Sequence, residues 1–590
     1  MIKNLFCIVL TVMMPLGIIT AQLEGDQWVL GYGNSTSTDH SVMFFDFRNA
    51  KLEITQKPDF TFFLRGCASN VCSLDGEPLM FTNGMQIMDS DGKLIADTIA
   101  YDGDGLYWKS WIISGNIPFG FPSLDNAIIL PVPSINDEYS VIYYYSEEHP
   151  EFIYATTQYL EARVKVNQEG EFELIYKDLP IGPRVEWYNG TISSVRHANG
   201  RDWWLLHFVG NSSDYYVQLL DSTGIHLDHI GKLDIPIIEG LGQATFSSRG
   251  NYFARMDAIS QDSGEYISLF EFDRCVGDLV RLNTFHVPSG LFTGVAFSPS
   301  EQYLYANSNL ALWQWDLLSE DIAESRILVD TFDGYVEPGW VVTTFGPMRL
   351  APDGRIYLNP SAGSSKYLHV IDRPDLKAPD CKFIQHAINL NIWNGRTAPN
   401  IPNYRLGPID GSLCDTVGLN NVPKSRWRYE PDQLDDPLLI RFTDLAFFDP
   451  QTWHWDFGDG STSDTPSPLH TFEPGLYHVC QTVSNQYATD STCQWIEILP
   501  TGIQEELDRI LPDISVVPNP FQDYIAIQSR RGNFRTVHLQ LHDIHGRLIF
   551  DQSETTIPSK IYFPDYPSGM YLCTLTEDDG TKLSFKLMKE

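Results

Sequence analysis

The ten residues Thr452–Ser461, with the sequence TWHWDFGDGS, indicate a β-strand that ends in a tight turn. Trp453, Trp455 and Phe457 alternate with polar residues, and alternate side chains of a strand point to the same face of its sheet. The pair Asp459-Gly460 then favours a hairpin turn, because glycine adopts the positive φ that such turns require. Three aromatic rings on one face need a second apolar face to cover them, so the stretch predicts a β-sandwich core.

The triplet Asp456-Phe457-Gly458 is also the one that holds magnesium in protein kinases. A kinase needs in addition a His-Arg-Asp loop, a strand lysine and a glycine-rich lid. The sequence contains no His-Arg-Asp, and Gly31-Tyr32-Gly33 lacks the third glycine of a lid. The triplet therefore predicts a strand-to-turn element, in which Asp456 and Asp459 either bond the turn backbone or bind a cation.

The wider stretch resembles polycystic-kidney-disease (PKD) domains, which are immunoglobulin-like sandwiches. The resemblance covers residues 438–498 and rests on WDFGDG, HTF (470–472) and PGLYHV (474–479). It departs from the usual pattern at Gln481, where an aliphatic residue is expected. The resemblance implies a structural role for the motif residues Trp455, Asp456, Phe457, Gly458, Asp459 and Gly460.

Residues 22–400 repeat short strands that end near an acidic residue and a turn. Three segments match one another, namely TFSSRGNYFA (245–254), AFSPSEQYLYA (296–306) and RLAPDGRIYL (349–358). Four-stranded repeats of about this length are typical of β-propeller blades. We therefore expect an all-β chain that begins with a propeller of about seven blades. The pattern resembles propeller-containing surface proteins of Bacteroidetes-type bacteria, and this resemblance implies no activity.

Residues 514–590 predict another small β-sandwich. Four ordered elements resemble the type A sorting domain of type IX secretion: Pro-Asn-Pro-Phe, Asp-x-x-Gly-Arg, Ser-Gly-x-Tyr and a lysine-containing end. The resemblance implies contact with the type IX machinery, removal of this domain, and attachment to surface lipopolysaccharide or release. The alternative is a third interaction module. The motif residues are Pro518, Asn519, Pro520, Phe521, Asp543, Gly546, Arg547, Gly569 and Tyr571.

The first 21 residues are typical of a secretory signal peptide, with Lys3, the apolar run Leu5–Ile19 and a cleavage site between Ala21 and Gln22. Export through the Sec system follows from this interpretation. The regions 401–437 and 499–513 lose strand periodicity and predict linkers.

Eight cysteines remain after the expected cleavage, and disulfides persist in exported proteins. Cys67–Cys72 and Cys480–Cys493 are close pairs, and Cys275–Cys381 is a plausible longer closure. Spacing alone leaves the connectivity open.

Acidic residues outnumber basic ones by 76 to 40, which gives a net charge of −36 and disfavours nucleic acid as a partner. The sequence contains no zinc-protease, nucleophile-elbow or phosphate-loop motif. Asp102 and Asp104 resemble half of a calcium loop, and apart from Ca²⁺ at such positions we expect no cofactor.

We therefore expect a non-catalytic protein, secreted or on the outer cell surface, without an assigned catalytic residue. Its propeller would bind an extracellular glycan or protein, with the PKD-like domain as spacer or secondary contact. The alternative is a secreted hydrolase of glycans or peptides with its site on the propeller loops, which a cluster of titratable groups at the channel mouth would favour.

Overall fold

The computed structural model describes the chain between residues 23 and 589, and every regular element within these described residues is a β-strand. Among them, no helix is long and apolar enough to cross a membrane. The predicted signal peptide, Asp102 and Asp104 lie outside the described residues. So do the following positions: 34–39, 49–51, 58–59, 61, 63, 65, 67, 98, 100–124, 148–154, 186–191, 211, 237–242, 258–264, 289–292, 338–340, 362–363, 434–435, 499–513, 518–523, 530–534, 544–546, 558, 564–565, 568 and 578–581.

Seven antiparallel sheets follow one another along the first part of the chain, and we number them as blades 1 to 7. Blade 1 has three strands and each other blade has four, while a short hairpin precedes blade 7. Blade 1 contains β1 (Gln27–Gly31), β2 (Val42–Asp46) and β3 (Glu53–Lys57), and blade 2 contains β4 (Ser69–Cys72), β5 (Pro78–Thr82), β6 (Ile87–Asp89) and β7 (Leu94–Ala96). Blade 3 contains β8 (Ala127–Pro131), β9 (Glu138–Glu147), β10 (Ala155–Val166) and β11 (Phe172–Pro180). Blade 4 contains β12 (Ser193–Arg196), β13 (Trp203–Phe208), β14 (Asp214–Asp221) and β15 (Gly224–Lys232).

Blade 5 contains β16 (Ala244–Phe246), β17 (Tyr252–Asp257), β18 (Glu265–Phe272) and β19 (Leu279–Val287), and blade 6 contains β20 (Val295–Phe297), β21 (Tyr303–Asn307), β22 (Ala311–Asp316) and β23 (Ile327–Thr331). The hairpin is formed by β24 (Val336–Glu337) and β25 (Val341–Val342). Blade 7 contains β26 (Phe345–Leu350), β27 (Ile356–Pro360), β28 (Ser365–Ile371) and β29 (Phe383–Asn394).

Apolar side chains fill the space between successive blades, and blade 7 packs against blade 1. At this last contact Trp28 lies edge-on to Phe47 and to Tyr357, with ring centroids 5.0 and 5.9 Å apart. The ring is thus closed by seven blades in the described part of the chain. The prediction of an all-β propeller is confirmed.

The chain after β29 lies beside β1, the first strand of the three-stranded blade 1. Gly395 N donates to Gly31 O at 2.8 Å, on the side of β1 that faces away from β2. Asn400 then donates from Nδ2 to Ala127 O and to Ile192 O, at 3.1 and 2.8 Å. Residues 394–409, here called the closing segment, therefore touch the inner strands of several blades and hold the ring together.

Two disulfides lie in the described residues. Cys275, on the turn after β18, pairs with Cys414 and not with Cys381, so the predicted Cys275–Cys381 bridge is wrong. Cys381 is a buried free thiol in the apolar core between blades 6 and 7, whereas Cys275 lies on a turn that the 410–415 region crosses. Cys480 and Cys493 are bonded across neighbouring strands. Cys72 is a buried free cysteine, and Cys67 lies outside the described residues.

Two sheets form the sandwich that follows, here called the PKD sandwich. Its core contains Trp427, Phe442, Trp455, Phe457 and Phe472, and the Trp427 and Trp455 rings meet edge-on at 5.4 Å. The sheets are β30 (Trp427–Gln433), β31 (Asp436–Asp444) and β34 (Leu469–Thr471), and β32 (Thr452–Asp456), β33 (Thr462–Ser463), β35 (Gly475–Ser484) and β36 (Thr489–Ile498).

The predicted linker 401–437 is therefore not a free connection. Its last part forms β30 and supplies Trp427 to the sandwich core. Its first part continues the closing segment and is fixed by the Cys275–Cys414 disulfide. The sequence lacks periodicity here because polar side chains, and not a repeated apolar face, hold this region in place.

Gln481 departs from the PKD pattern because it belongs to a buried polar network. It is fully buried and donates from Nε2 to Asp444 Oδ1 at 2.6 Å. Ser425 Oγ donates to Gln481 Oε1 at 2.8 Å. The glutamine thus ties the region before β30 to the sandwich, which an aliphatic side chain does not do.

The PKD sandwich is docked on the propeller by guanidinium contacts. Arg428 Nε donates to Asp353 O at 2.8 Å, and Arg373 pairs with Asp432 at 3.0 Å. Arg426 pairs with the buried Asp26 at 2.7 Å. Buried charged groups need such partners, so these contacts define one relative orientation of the two units.

The C-terminal strands form two further sheets around a separate apolar core. Asp543 Oδ2 accepts from Arg547 Nε at 3.1 Å, which stabilises the turn of the predicted sorting motif. Pro518, Asn519, Pro520, Phe521 and Gly546 lie outside the described residues. The strands are β37 (Ile514–Val517), β38 (Tyr524–Ser529), β39 (Arg535–Asp543), β40 (Leu548–Ile557), β41 (Ser559–Tyr562), β42 (Gly569–Glu577) and β43 (Lys582–Lys589).

Candidate ligand-binding cleft

A cleft of about 400 Å³ lies where the turns after β4, β8 and β12 meet the residues before β1. These turns follow the first strands of blades 2, 3 and 4, so the cleft lies at the same end of these three strands. We call it the Glu24 cleft. It is lined by Glu24, Leu74, residues 131–139, Arg196, Gly200, Arg201 and Leu419.

Glu24 is the chemically unusual residue of this cleft. Its backbone is fixed because Cys72 N donates to Glu24 O at 2.8 Å. Its side chain is almost completely buried, at 4% exposure, yet Oε2 has no hydrogen-bond partner among the described residues. Burial disfavours the charged form and raises the pKa of Glu24 to about 7, although the nearby Arg196 opposes this shift.

Arg196 supplies the positive charge beside Glu24. Its guanidinium lies over the Trp203 ring, 3.9 Å from the ring centroid. It donates from Nη1 to Arg201 O at 2.9 Å and from Nη2 to Tyr404 O at 3.5 Å. Burial lowers the pKa of Arg196 to about 10, so the group stays cationic at neutral pH.

Two of the remaining charged groups of the wall, Arg201 and Glu138, have partners of opposite charge. Arg201 pairs with Asp202 at 2.7 Å, and Glu138 pairs with Lys165 at 3.2 Å. Asp137 is exposed at the rim. The positive and negative charges of the cleft wall therefore nearly cancel.

Asp26 and two arginines connect the cleft to the docked sandwich. Asp26 is buried two positions after Glu24 and pairs with Arg405 of the closing segment and with Arg426 of the sandwich junction. The negative charge of Asp26 also contributes to the raised pKa of Glu24. Asp26 thus links the segment that carries Glu24 to the closing segment and to the sandwich junction.

The residues of the cleft favour the binding of an organic ligand over the binding of a metal ion. No histidine or cysteine is among the described residues that line the cleft, and Arg196 would repel a metal ion at Glu24. A carboxyl group with a pKa near 7 is suited to proton exchange as well as to hydrogen bonding. Glycoside hydrolysis needs a second carboxyl group at a defined separation; the other two carboxyl groups of the wall are Glu138, which pairs with Lys165, and Asp137, which is exposed at the rim.

A second cavity, of about 560 Å³, lies where the region after the closing segment meets the sandwich. Asp410, one of its lining residues, accepts from Asn421 Nδ2 at 3.0 Å, and Asn485 Nδ2 donates to Asn421 O at 2.8 Å. These contacts fix the junction, and we interpret this cavity as part of it.

A Thr-His-Asp arrangement near blade 7 is structural. Thr343 Oγ1 lies 2.7 Å from His386 Nε2, and His386 Nδ1 lies 3.5 Å from Asp333 Oδ2. Thr343 is completely buried and also bonds to Tyr335 O at 3.1 Å. A nucleophile must reach its substrate, so this burial argues against hydrolytic chemistry at Thr343.

The two aspartates of the PKD motif lie in a turn of the sandwich. Asp456 Oδ1 accepts from Gly458 N at 2.9 Å, and Asp459 Oδ1 accepts from Ser461 N at 2.8 Å. Asp459 Oδ2 also lies 2.7 Å from His470 Nε2. These contacts occupy the carboxylates with turn and side-chain bonds.

Sequence reasoning missed the residues of the cleft. Glu24 and Arg196 are 172 positions apart, and Leu419 comes from the region predicted as a linker. None of them belongs to a motif or to a periodic pattern. Only the closed ring brings them together.

Two family models match parts of the chain. Residues 436–498 match the PKD domain, and residues 515–590 match the secretion system C-terminal sorting domain. The expectation of these two domains is confirmed. The chain is therefore an exported protein with a PKD domain and a sorting domain for type IX secretion, which delivers it to the cell surface or the extracellular space.

No curated protein matches the chain. Among solved structures, the PKD1 domain of the Vibrio cholerae metalloprotease PrtV is 23% identical and covers 13% of this chain and 99% of its own, with a TM-score of 0.12. A Lactobacillus plantarum protein is 11% identical over 64% of this chain and 97% of its own, with a TM-score of 0.35. A periplasmic gluconolactonase of Pseudomonas aeruginosa is 13% identical over 62% of this chain and 99% of its own, with a TM-score of 0.33.

Proposed function

We propose that this protein is a non-catalytic binding protein of the outer cell surface or the extracellular space, and that its propeller, residues 22–400, binds an extracellular glycan or protein. The observation that supports the proposal is Glu24, a residue of the cleft wall whose buried carboxyl oxygen Oε2 lacks a partner among the described residues. A buried polar atom without a partner costs free energy, and a ligand that supplies the missing hydrogen bond removes that cost. A mature chain that begins at Gln22 would retain Glu24 near its N-terminus.

The PKD sandwich is proposed to be a fixed support for this cleft. Arg426 of the junction shares Asp26 with Arg405 of the closing segment, and Asp26 follows Glu24 by two positions. The expected role as spacer or secondary contact thus becomes a more specific hypothesis, in which the sandwich keeps the cleft in shape. After export, removal of the sorting domain would leave this unit attached to lipopolysaccharide or free.

The test is a binding screen with the mature protein purified from the outside of its native cells. Arrays of glycans and peptides would be probed with the wild type, with Glu24→Leu and with Glu169→Gln, whose carboxyl group is exposed on a turn. We expect ligands that bind the wild type and Glu169→Gln but not Glu24→Leu. Ligands that bind all three proteins equally would place binding elsewhere and contradict the proposal.

The alternative function is a secreted hydrolase, and the pKa of Glu24, raised to about 7 by burial, favours it because a general acid needs such a value. The same ligands would be incubated with the wild type and with Glu24→Gln, and cleavage would be followed by mass spectrometry. Turnover by the wild type that Glu24→Gln abolishes would replace the binding proposal with this one.

A further inference from the structure

We propose that the Glu24 cleft binds a neutral sugar residue through its hydroxyl groups. This inference rests on the proposed function and names the class of ligand for the same site. It follows from the charge balance, the hydrogen-bonding capacity and the apolar surface of the cleft.

The charge balance favours a neutral ligand. Glu24 is opposed by Arg196, Arg201 by Asp202, and Glu138 by Lys165, while the charge of Asp137 is exposed at the rim, where water and salt screen it. An ammonium group that approached Glu24 would meet the positive charge of Arg196. A carboxylate or phosphate that approached Arg196 would meet Glu24. A ligand with a net charge therefore gains little from this wall and loses its hydration.

The hydrogen-bonding capacity of Glu24 suits a hydroxyl group. Its Oε2 is buried without a partner among the described residues. With a pKa of about 7, the carboxyl group is present in both protonation states near neutral pH, so it either accepts or donates a hydrogen bond. A hydroxyl group also does both, whereas an ammonium group only donates.

The rest of the wall offers a surface for the C–H groups of a sugar ring. Leu74, Pro131, Val132, Ile135 and Leu419 contribute apolar atoms close to the polar pair. The volume of about 400 Å³ lies in the lower part of the range of small-molecule sites, about 300–1,000 Å³. The cleft therefore fits one or two sugar units.

The test is an equilibrium titration of the full mature protein, followed by calorimetry and by ligand-observed NMR. The probes are the neutral sugars glucose, galactose, mannose and N-acetylglucosamine, the charged analogues glucosamine and glucuronate, and a neutral capped peptide. The variants are Glu24→Gln, which keeps the size and a hydrogen-bonding group, Glu24→Leu, which removes the polar atoms, and Ile135→Trp, which fills the cleft from its rim. Glu169→Gln is the matched control, and thermal unfolding verifies that each variant folds.

We expect at least one neutral sugar to bind more tightly than either charged analogue. Glu24→Leu and Ile135→Trp should each weaken this binding at least about tenfold, Glu24→Gln by about two- to fivefold, and Glu169→Gln not measurably. Ile135→Trp keeps the proposal testable if Glu24→Leu does not fold, because it leaves the buried carboxyl group in place.

Tighter binding of glucosamine or glucuronate would overturn the sugar proposal, and so would neutral-sugar binding that both cleft variants leave unchanged. Binding of the capped peptide alone, lost in Ile135→Trp, would overturn the sugar proposal and keep the cleft as a binding site. Absence of binding by every probe would overturn the sugar proposal, and the array screen would then decide the fate of the wider binding proposal.

Discussion

Replacement of Asp26 by asparagine should destabilise the junction of propeller, closing segment and PKD sandwich. Asp26 has a side-chain exposure of 1%, and its two oxygens pair with Arg405 and with Arg426, each of which is 13% exposed. Asparagine keeps the size of the side chain but removes its charge. Two guanidinium groups then remain close together without their shared counter-charge.

The burial of Asp26 and of its two arginine partners sets the expected loss of unfolding free energy. Breaking a buried ion pair by removing one partner costs about 3–5 kcal/mol. Both arginines keep some contact with water, so we expect a loss near the lower end, about 3 kcal/mol of unfolding free energy. Urea unfolding of the mature protein, followed by tryptophan fluorescence, measures this loss, because Trp427 lies in the sandwich core beside the junction.

Asp91→Asn, on an exposed turn of blade 2, is the matched control and should change the unfolding free energy by less than about 0.5 kcal/mol. In the background of Arg426→Met, the cost of Asp26→Asn should fall, because one of the two stranded cations is already absent. A loss below about 0.5 kcal/mol for Asp26→Asn alone would refute the argument that this shared carboxylate holds the junction.

The remaining predictions concern the sandwich, the disulfide and export. Gln481→Leu should destabilise the sandwich by about 1–3 kcal/mol in urea unfolding, because Asp444 loses the hydrogen bond that Gln481 Nε2 donates at 2.6 Å. An unchanged urea midpoint would show that this buried hydrogen bond does not stabilise the sandwich. Burial raises the pKa of Asp444 to about 6 from 3.8, so the contribution of this group to the unfolding free energy is fully present below pH 4 and is lost as the pH rises through 6. Asp444→Asn should flatten the dependence of the unfolding free energy on pH between these values. An identical slope in both proteins would contradict the raised pKa of Asp444. Cys414→Ser should lower the unfolding free energy by about 2–4 kcal/mol, because the Cys275–Cys414 bridge closes a loop with a sequence separation of 139. Cys381→Ser, which removes a free thiol, should not reproduce this loss when both variants are compared under oxidising and reducing conditions. Intact mass of the protein from the outside of native cells should show a chain without the residues before Gln22 and after about residue 513, whereas a full-length periplasmic chain would contradict the proposed processing.

The sequence was sufficient for those parts of the fold that repeat or that form a local motif. The matching segments 245–254, 296–306 and 349–358 predict blades because each contains an inner strand, a turn and the next strand. The stretch around Trp455 predicts the sandwich because alternating rings and a glycine turn lie within ten residues. Both patterns express local backbone geometry, which a short sequence window contains.

The closing segment, the disulfide partner and the cleft could not be predicted in the same way. Asn400 contacts Ala127 and Ile192, which lie more than 200 positions earlier, and only ring closure brings them together. The sequence predicts a linker over 401–437 because its polar residues show no period, yet residues of this region bond to propeller backbone and to Gln481. Contacts between distant polar groups leave no periodic signal in the sequence.

A crystal structure of the mature protein with the tightest ligand from the array screen tests directly whether the Glu24 cleft is the binding site. We expect the ligand to occupy the cleft between the turns of blades 2, 3 and 4, with a hydroxyl or other polar group within about 3 Å of Glu24 Oε2. A ligand seated on another surface of the propeller or on the PKD sandwich, with the Glu24 carboxyl group left without a ligand contact, would contradict this expectation.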